Sequence, residues 1–152
     1  MTAARRSHAE VSDAWSSLHC VHVQKQVRIG EPTVVEAVPD GSRFGVVFED
    51  DGDTGYLYGL DQTQHEMPIV DAMQIYDVSE WSRGREVTLK IVWNTDHSRA
   101  TLFVNDAPQA VFDFARSQAC CRSGFPPAIQ TGWCVGHDWD DALFRRVNSE
   151  VA

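Results

Sequence analysis

The sequence predicts an α+β domain, mainly an antiparallel β-meander of about six strands with a short helix packed on it near the C-terminus. Three observations carry this. "RFGVVFED" and "YLYGLD" flank the turn "DGDTG", and strand, Asp-Gly turn, strand is a strong hairpin signal. "REVTLKIVW", "RATLFVN" and "QAVFDF" follow one another through the short polar turns "NTDHS" and "NDAP", the pattern of consecutive hairpin-linked strands. Trp139, Leu143 and Val147 recur at helical spacing, one apolar stripe facing a core.

The elements follow in chain order. Residues 1–15 are polar and Ala-rich and read as frayed or weakly helical. "LHCVHVQKQVRIG" alternates imperfectly and stops at Gly30, so a strand is expected there. "TVVEAV" is β-branched and ends at the turn "PDGS". Residues 43–49 and 55–61 are expected to pair antiparallel around the Asp-Gly tip. "MPIVDAMQIYDV" fits a helical face through Ile69, Met73 and Tyr76, but Pro68, the short length and the β-branched residues favour a strand. In "REVTLKIVW", Val87, Leu89, Ile91 and Trp93 share one face. Residues 115–136, with Gly124, Pro126, Pro127, Gly132 and Gly136, read as one long loop, and a connection of that length is often functional. The expected division is an N-terminal arm over 1–27, partly flexible or an edge strand, and one α+β domain over 28–152.

Size and charge narrow the function. A chain of 152 residues buries roughly 68–70% of its unfolded surface, enough for a core without disulfides or metal. Acidic residues outnumber basic ones 22 to 13, for a net charge of −9. Such a surface repels a phosphate backbone, so nucleic acid is not expected, and a basic protein partner is. No apolar run approaches the length of a membrane span, and the N-terminus has no apolar stretch behind Arg5 and Arg6 to make a secretory signal. A cytoplasmic protein whose four cysteines are reduced is the expectation. The oligomeric state is not legible.

"VVFEDDGDTGYLYGLD", "IVDAMQIYDV", "FDF" at 112–114, "CRSGFP" at 121–126 and "HDWDD" at 137–141 occur in this order. Together they resemble a family of small bacterial proteins known as a domain of unknown function, number 2251. The resemblance covers about residues 28–144. It implies a bacterial origin and a single small domain, and it brings no activity. Of the cysteines near the C-terminus only Cys121 matches the family pattern, which weakens any metal site that would need Cys120 and Cys134 as well.

The candidate sites are few. Cys120 and Cys121, then Cys134 and His137, give the last pair an acceptable zinc spacing. Neighbouring cysteines rarely both reach one ion, so no metal and no cofactor is expected; Cys121, Cys134 and His137 are the residues that would contribute to one. "DDGDTG" is not an EF-hand loop, because Gln62 stands where the twelfth-position Glu belongs. Its Asp50, Asp51 and Asp53 are expected at an exposed tip, where they would attract a cation or a basic partner.

"HDWDDALFRR" reads as the start of a helix over 139–147. Asp138 is placed as N-cap, Asp140 and Asp141 lie in the first turn, and Arg145 and Arg146 lie in the last. Only His137 is left without a structural reason. It could act as a general base beside Asp140, or pair with the Cys121 thiol. No G-x-S-x-G elbow, H-E-x-x-H pair or phosphate-cradling loop is present. The reading is therefore a non-enzymatic acidic binding protein, of the type of an immunity inhibitor of a basic toxin. Its expected binding residues are Asp50, Asp51, Asp53, Trp133, His137 and Asp141, gathered at one site. The alternative is a small enzyme or metal-binding protein using His137 with Cys121 or a nearby carboxylate.

Overall fold

A computed structural model describes residues 19–129 and 132–149. Nine strands are joined by short turns: β1 His19–Arg28, β2 Thr33–Ala37, β3 Phe44–Asp50, β4 Thr54–Asp61, β5 Ile69–Asp77, β6 Glu86–Asn94, β7 Arg99–Val104, β8 Ala107–Asp113 and β9 Gln118–Cys121. A one-turn helix, α1 (Val78–Trp81), follows β5, and α2 (Asp141–Ser149) closes the described chain. The mainly antiparallel fold with a short helix near the C-terminus is as the sequence predicts. The strands, however, form two sheets in place of one meander, ordered β2-β3-β4-β5 and β1-β6-β7-β8-β9.

Pairing within β2–β5 and within β6–β9 is between chain neighbours, which hairpins favour. The exception is β1. It crosses to pair antiparallel with β6, from His19 opposite Asn94 to Arg28 opposite Glu86. The expected N-terminal arm over 1–27 thus includes most of an edge strand, and its residues 1–18 lie outside those described. Residues 115–136 are not one loop, because β9 adds four residues of ladder to β8. Its sequence, "QACC", is too short to show an alternation of two.

The two sheets pack face to face. Val46, Phe48, Leu57, Met73 and Ile75 meet Leu89, Ile91, Trp93, Leu102 and Phe112 in one continuous core. A chain that alternates inward and outward along each strand produces this directly, as in the burial of Gly55, Leu57, Gly59 and Asp61 along β4. The contact is close at Gly59, where an added Cβ would lie 2.8 Å from the Phe112 ring. On the outer face of the larger sheet, Leu143 and Val147 of α2 cover Val111 and Cys120. Two ion pairs secure the same face: Asp113, fully buried, faces Arg99 at 3.3 Å and Arg146 of α2 at 3.4 Å.

β5 is one edge of the smaller sheet, and it is covered in an irregular way. Gln74 donates its N–H to the Phe125 carbonyl at 2.9 Å, and the Ser123 hydroxyl donates to the Gln74 carbonyl at 2.7 Å. The segment after β9 is thereby laid along the β5 edge like a strap. This satisfies backbone groups that an edge strand would otherwise offer to another chain.

Gly59→Ala is expected to lower the unfolding free energy by about 1–3 kcal/mol through overpacking against Phe112, measured by urea titration. An unchanged midpoint would mean that the sheets have room to spare there.

Candidate functional site

The site lies where the strap meets the start of β5. Pro126 and Pro127 end the strap's regular contact with β5, and the chain returns through Trp133, Cys134 and His137 before entering α2. His137 is only 7% exposed. A buried imidazole needs partners for both nitrogens, and it has them. Nδ1 lies 2.6 Å from the Pro126 carbonyl, and Nε2 lies 2.8 Å from Oδ2 of Asp71 on β5. The backbone carbonyl of His137 accepts from the Cys121 N–H at 2.9 Å. One residue therefore joins β5, the strap and β9.

The protonation state follows from the partners. A carbonyl and a carboxylate both accept, so the ring donates from both nitrogens and is an imidazolium. The Asp71 carboxylate is the largest cause; with Cys134 beside it and the Pro126 carbonyl behind, it outweighs the cost of burial and pushes the His137 pKa up to about 11. Cys134 completes the group. Its Sγ lies 3.4 Å from Asp71 Oδ2 and 3.4 Å from the Gly136 carbonyl. The three functional atoms of Asp71, Cys134 and His137 all lie within 4.8 Å of one another.

A small cavity of about 100 Å³ adjoins them, walled by Pro126, Ile129 and Trp133 among others. A wider cleft of about 670 Å³ shares Trp133, Cys134, Ala128 and Ile129 with it and is lined also by Arg116, Ser117 and Val135. Trp133 serves both regions. Part of it packs edge-on against Phe112 and tilted on Phe114, and the rest faces the cleft. Around the rim Ile129 is 65% exposed and Val135 83%.

The chain matches, over residues 27–148, the family described as "Uncharacterized protein conserved in bacteria (DUF2251)". It belongs to that family. A relative in Haemophilus influenzae (strain Rd), described as an uncharacterized protein, is 42% identical over 92 residues, which is 59% of this chain and 57% of the relative's length. The alignment thus spans little more than half of that relative. No solved structure matches. Among the described residues no helix is long and apolar enough to cross a membrane.

The residues singled out in the sequence do not gather at one place. Asp50, Asp51 and Asp53 sit at the β3–β4 turn, beside the end of β5 at Asp77, whereas Asp71 lies near its start. Six residues of strand separate the two, roughly 20 Å. Asp50 is not at an exposed tip. It is 1% exposed and accepts from the Tyr76 hydroxyl at 2.6 Å and the Gly30 and Gly52 amides at 2.8 Å each. Burial and the Asp50 carboxylate push the Tyr76 phenol well above its ordinary pKa. Asp51 accepts from the Asp53 and Thr54 amides at 2.9 Å and so shapes the turn; these bonds lower its pKa. Asp53 remains exposed.

The C-terminal acids also part from expectation. The helix cap is Asp140, two residues later than expected, with Oδ1 accepting from Ala142 and Leu143 at 2.9 and 3.1 Å. Asp138 is exposed and caps nothing. Asp141 accepts from the Trp139 indole at 2.7 Å, while the Arg122 guanidinium lies 3.6 Å over the Trp139 ring. The Cys121 thiol is fully buried and points to Ser123 and the Phe125 carbonyl, so it makes no pair with the imidazole. Cys120 is buried under α2, and burial raises its thiol pKa to about 11.

Sequence reasoning missed Asp71. The available signal was a single acid inside the otherwise apolar run "PIVDAM", which a strand edge tolerates only when the acid has a partner.

Because His137 has a folded pKa of about 11 against an ordinary 6.5, its contribution to stability is complete below about pH 6.5 and is lost as pH rises from there toward 11. In chelator-treated protein the imidazole is expected to stay protonated past pH 8 by NMR titration. Asp71→Asn should return the titration toward the ordinary range and remove that slope from the stability profile. Titration of the wild-type ring near 6.5 would show that the pair does not form.

Proposed function

We propose that this is a non-enzymatic acidic binding protein of the immunity type, and that it recognises a basic protein through the cleft beside Trp133. The observation that carries the reading is the use made of His137. Both ring nitrogens are engaged and the ring is an imidazolium, so near neutral pH it has no lone pair to accept a proton. It acts as a clamp that fixes a display loop. The Cys121 thiol, the other half of the enzymatic alternative, faces away from it.

The surface around the clamp suits protein recognition. Ile129 and Val135 are exposed apolar side chains lining a concave cleft, and exposed apolar groups with a polar rim mark interaction sites. Asp138, Asp140 and Asp141 lie just beyond, exposed at the start of α2. Within a chain of net charge −9, this combination favours fast encounter with a basic partner and apolar contact once docked. Cys120, Cys121 and Cys134 are free thiols, in keeping with action in the reducing cytoplasm.

The test is capture by the immobilised full chain from a lysate of its own bacterium, with Val135→Asp and Ile129→Asp as cleft variants and Val34→Asp on β2 as a control. A basic protein should be retained at low salt, weaken with added salt, and be lost with the cleft variants only. Retention that ignores the cleft variants, or capture of acidic proteins alone, would contradict the reading.

A further inference from the structure

We propose that Asp71, Cys134 and His137 form a binding site for a zinc-type divalent cation, with Asp71 Oδ2, Cys134 Sγ and His137 Nε2 as ligands and the fourth position open to the adjoining cavity. None of the three ligands has to come from a protein partner, although Cys134 also lines the cleft.

The donor set comes first. One carboxylate oxygen, one thiol sulfur and one imidazole nitrogen suit zinc, and the sulfur disfavours magnesium and calcium. Three protein ligands with a free fourth position is the arrangement of reactive or exchangeable zinc sites. The ligands come from two places distant in sequence, β5 and the segment before α2, and both are held in position. Asp71 is set by the β4–β5 ladder opposite Gly59.

The distances fit next. Tetrahedral zinc with bonds of about 2.0–2.3 Å separates its ligand atoms by roughly 3.3–3.7 Å. Asp71 Oδ2 lies 2.8 Å from His137 Nε2 and 3.4 Å from Cys134 Sγ. An ion therefore requires the carboxylate and the ring to part by roughly half an ångström, within the reach of a side-chain rotation. The small cavity of about 100 Å³ beside the three residues has room for a water or another small fourth ligand.

The bond from Nδ1 to the Pro126 carbonyl is the third argument. A metal-bound histidine almost always donates its other N–H to a carbonyl or carboxylate, which fixes the ring and leaves the remaining nitrogen for the ion. Here that outer bond is in place, and Nε2 is the atom that faces Asp71 and Cys134.

A thiol–imidazole catalytic pair fits less well, because a carboxylate oxygen occupies the ring nitrogen that the sulfur would need.

The test uses the untagged full chain, stripped with chelator and then given Zn²⁺ or Co²⁺. About one ion per chain should remain after gel filtration. The Co²⁺ form should show a thiolate-to-metal charge-transfer band together with intense tetrahedral d–d bands. Removing even an outer partner of a metal site costs about 10–100-fold in affinity, so Cys134→Ser and Asp71→Asn should each weaken binding by at least that range, and Cys121→Ser should not. Cys134→Ser should also abolish the charge-transfer band. In case a variant fails to fold, wild-type chain is treated with alkylating reagent and mapped by mass spectrometry: Zn²⁺ should slow modification of Cys134 by about tenfold or more. Substoichiometric metal, a cobalt spectrum without the thiolate band, full affinity in folded Cys134→Ser, or no protection of Cys134 would each overturn the site.

Discussion

The arrangement around the candidate site depends on one buried side chain. His137 holds the Pro126 carbonyl with one nitrogen and the Asp71 carboxylate with the other. Through its own carbonyl it also holds Cys121, the last residue of β9. Apart from that ring, the chain between Cys121 and Asp140 is tied to the sandwich by the bonds of Arg122 to Pro108 and Gln109, by those of Ser123 and Phe125 to Gln74, and by Trp133 on Phe112 and Phe114. A charged pair of this kind is retained where it fixes one geometry, since a buried ion pair is weak evidence of stability alone. What it fixes here is the wall of the cleft: Trp133, Cys134 and Val135 lie immediately before the clamp, and Ala128 and Ile129 soon after the proline it holds.

The acidity of the chain divides in two on this structure. Asp50, Asp61 and Asp113 are buried and consumed. Asp61 accepts both arms of the Arg43 guanidinium at 3.0 and 2.9 Å, which holds its carboxyl far below the usual range. Asp113 serves two arginines, and Asp50 organises the β3–β4 turn from inside. Other acids, among them Glu36, Asp53, Glu66, Asp106 and Asp138, are exposed and set the long-range field that a partner meets first. Net charge read from composition does not distinguish these two populations.

Much of the fold was legible because it rests on local pattern. The β3–β4 hairpin follows from the Asp-Gly turn, and β6, β7 and β8 from alternation of two. The division into two sheets was not legible, because it depends on β1 pairing with a strand 58 to 75 residues further along the chain, and no local signal encodes that choice. The cap position slipped from Asp138 to Asp140 because three acids within four positions, Asp138, Asp140 and Asp141, all satisfy the composition rule, and only the backbone path selects one. At the site, His137 stood out as the one residue of its stretch with no structural role in a helix start. Its partners did not. Asp71 is 66 residues earlier, and Cys121 rather than Cys134 looked like the family's cysteine. Proximity in sequence pointed to Asp138 and Asp140, and folding supplied Asp71.

The most direct measurement of the central claim is amide hydrogen exchange of the chelator-treated chain, compared with that of His137→Ala. The Gln74 and Cys121 amides are protected only while the strap and the segment before α2 are docked. They should exchange much faster in the variant, while core amides such as those of Leu89 and Leu102 stay slow. Unchanged protection at both positions, in a variant whose core is intact, would mean that the loop holds its place without the imidazole, and that the clamp is not what builds the cleft.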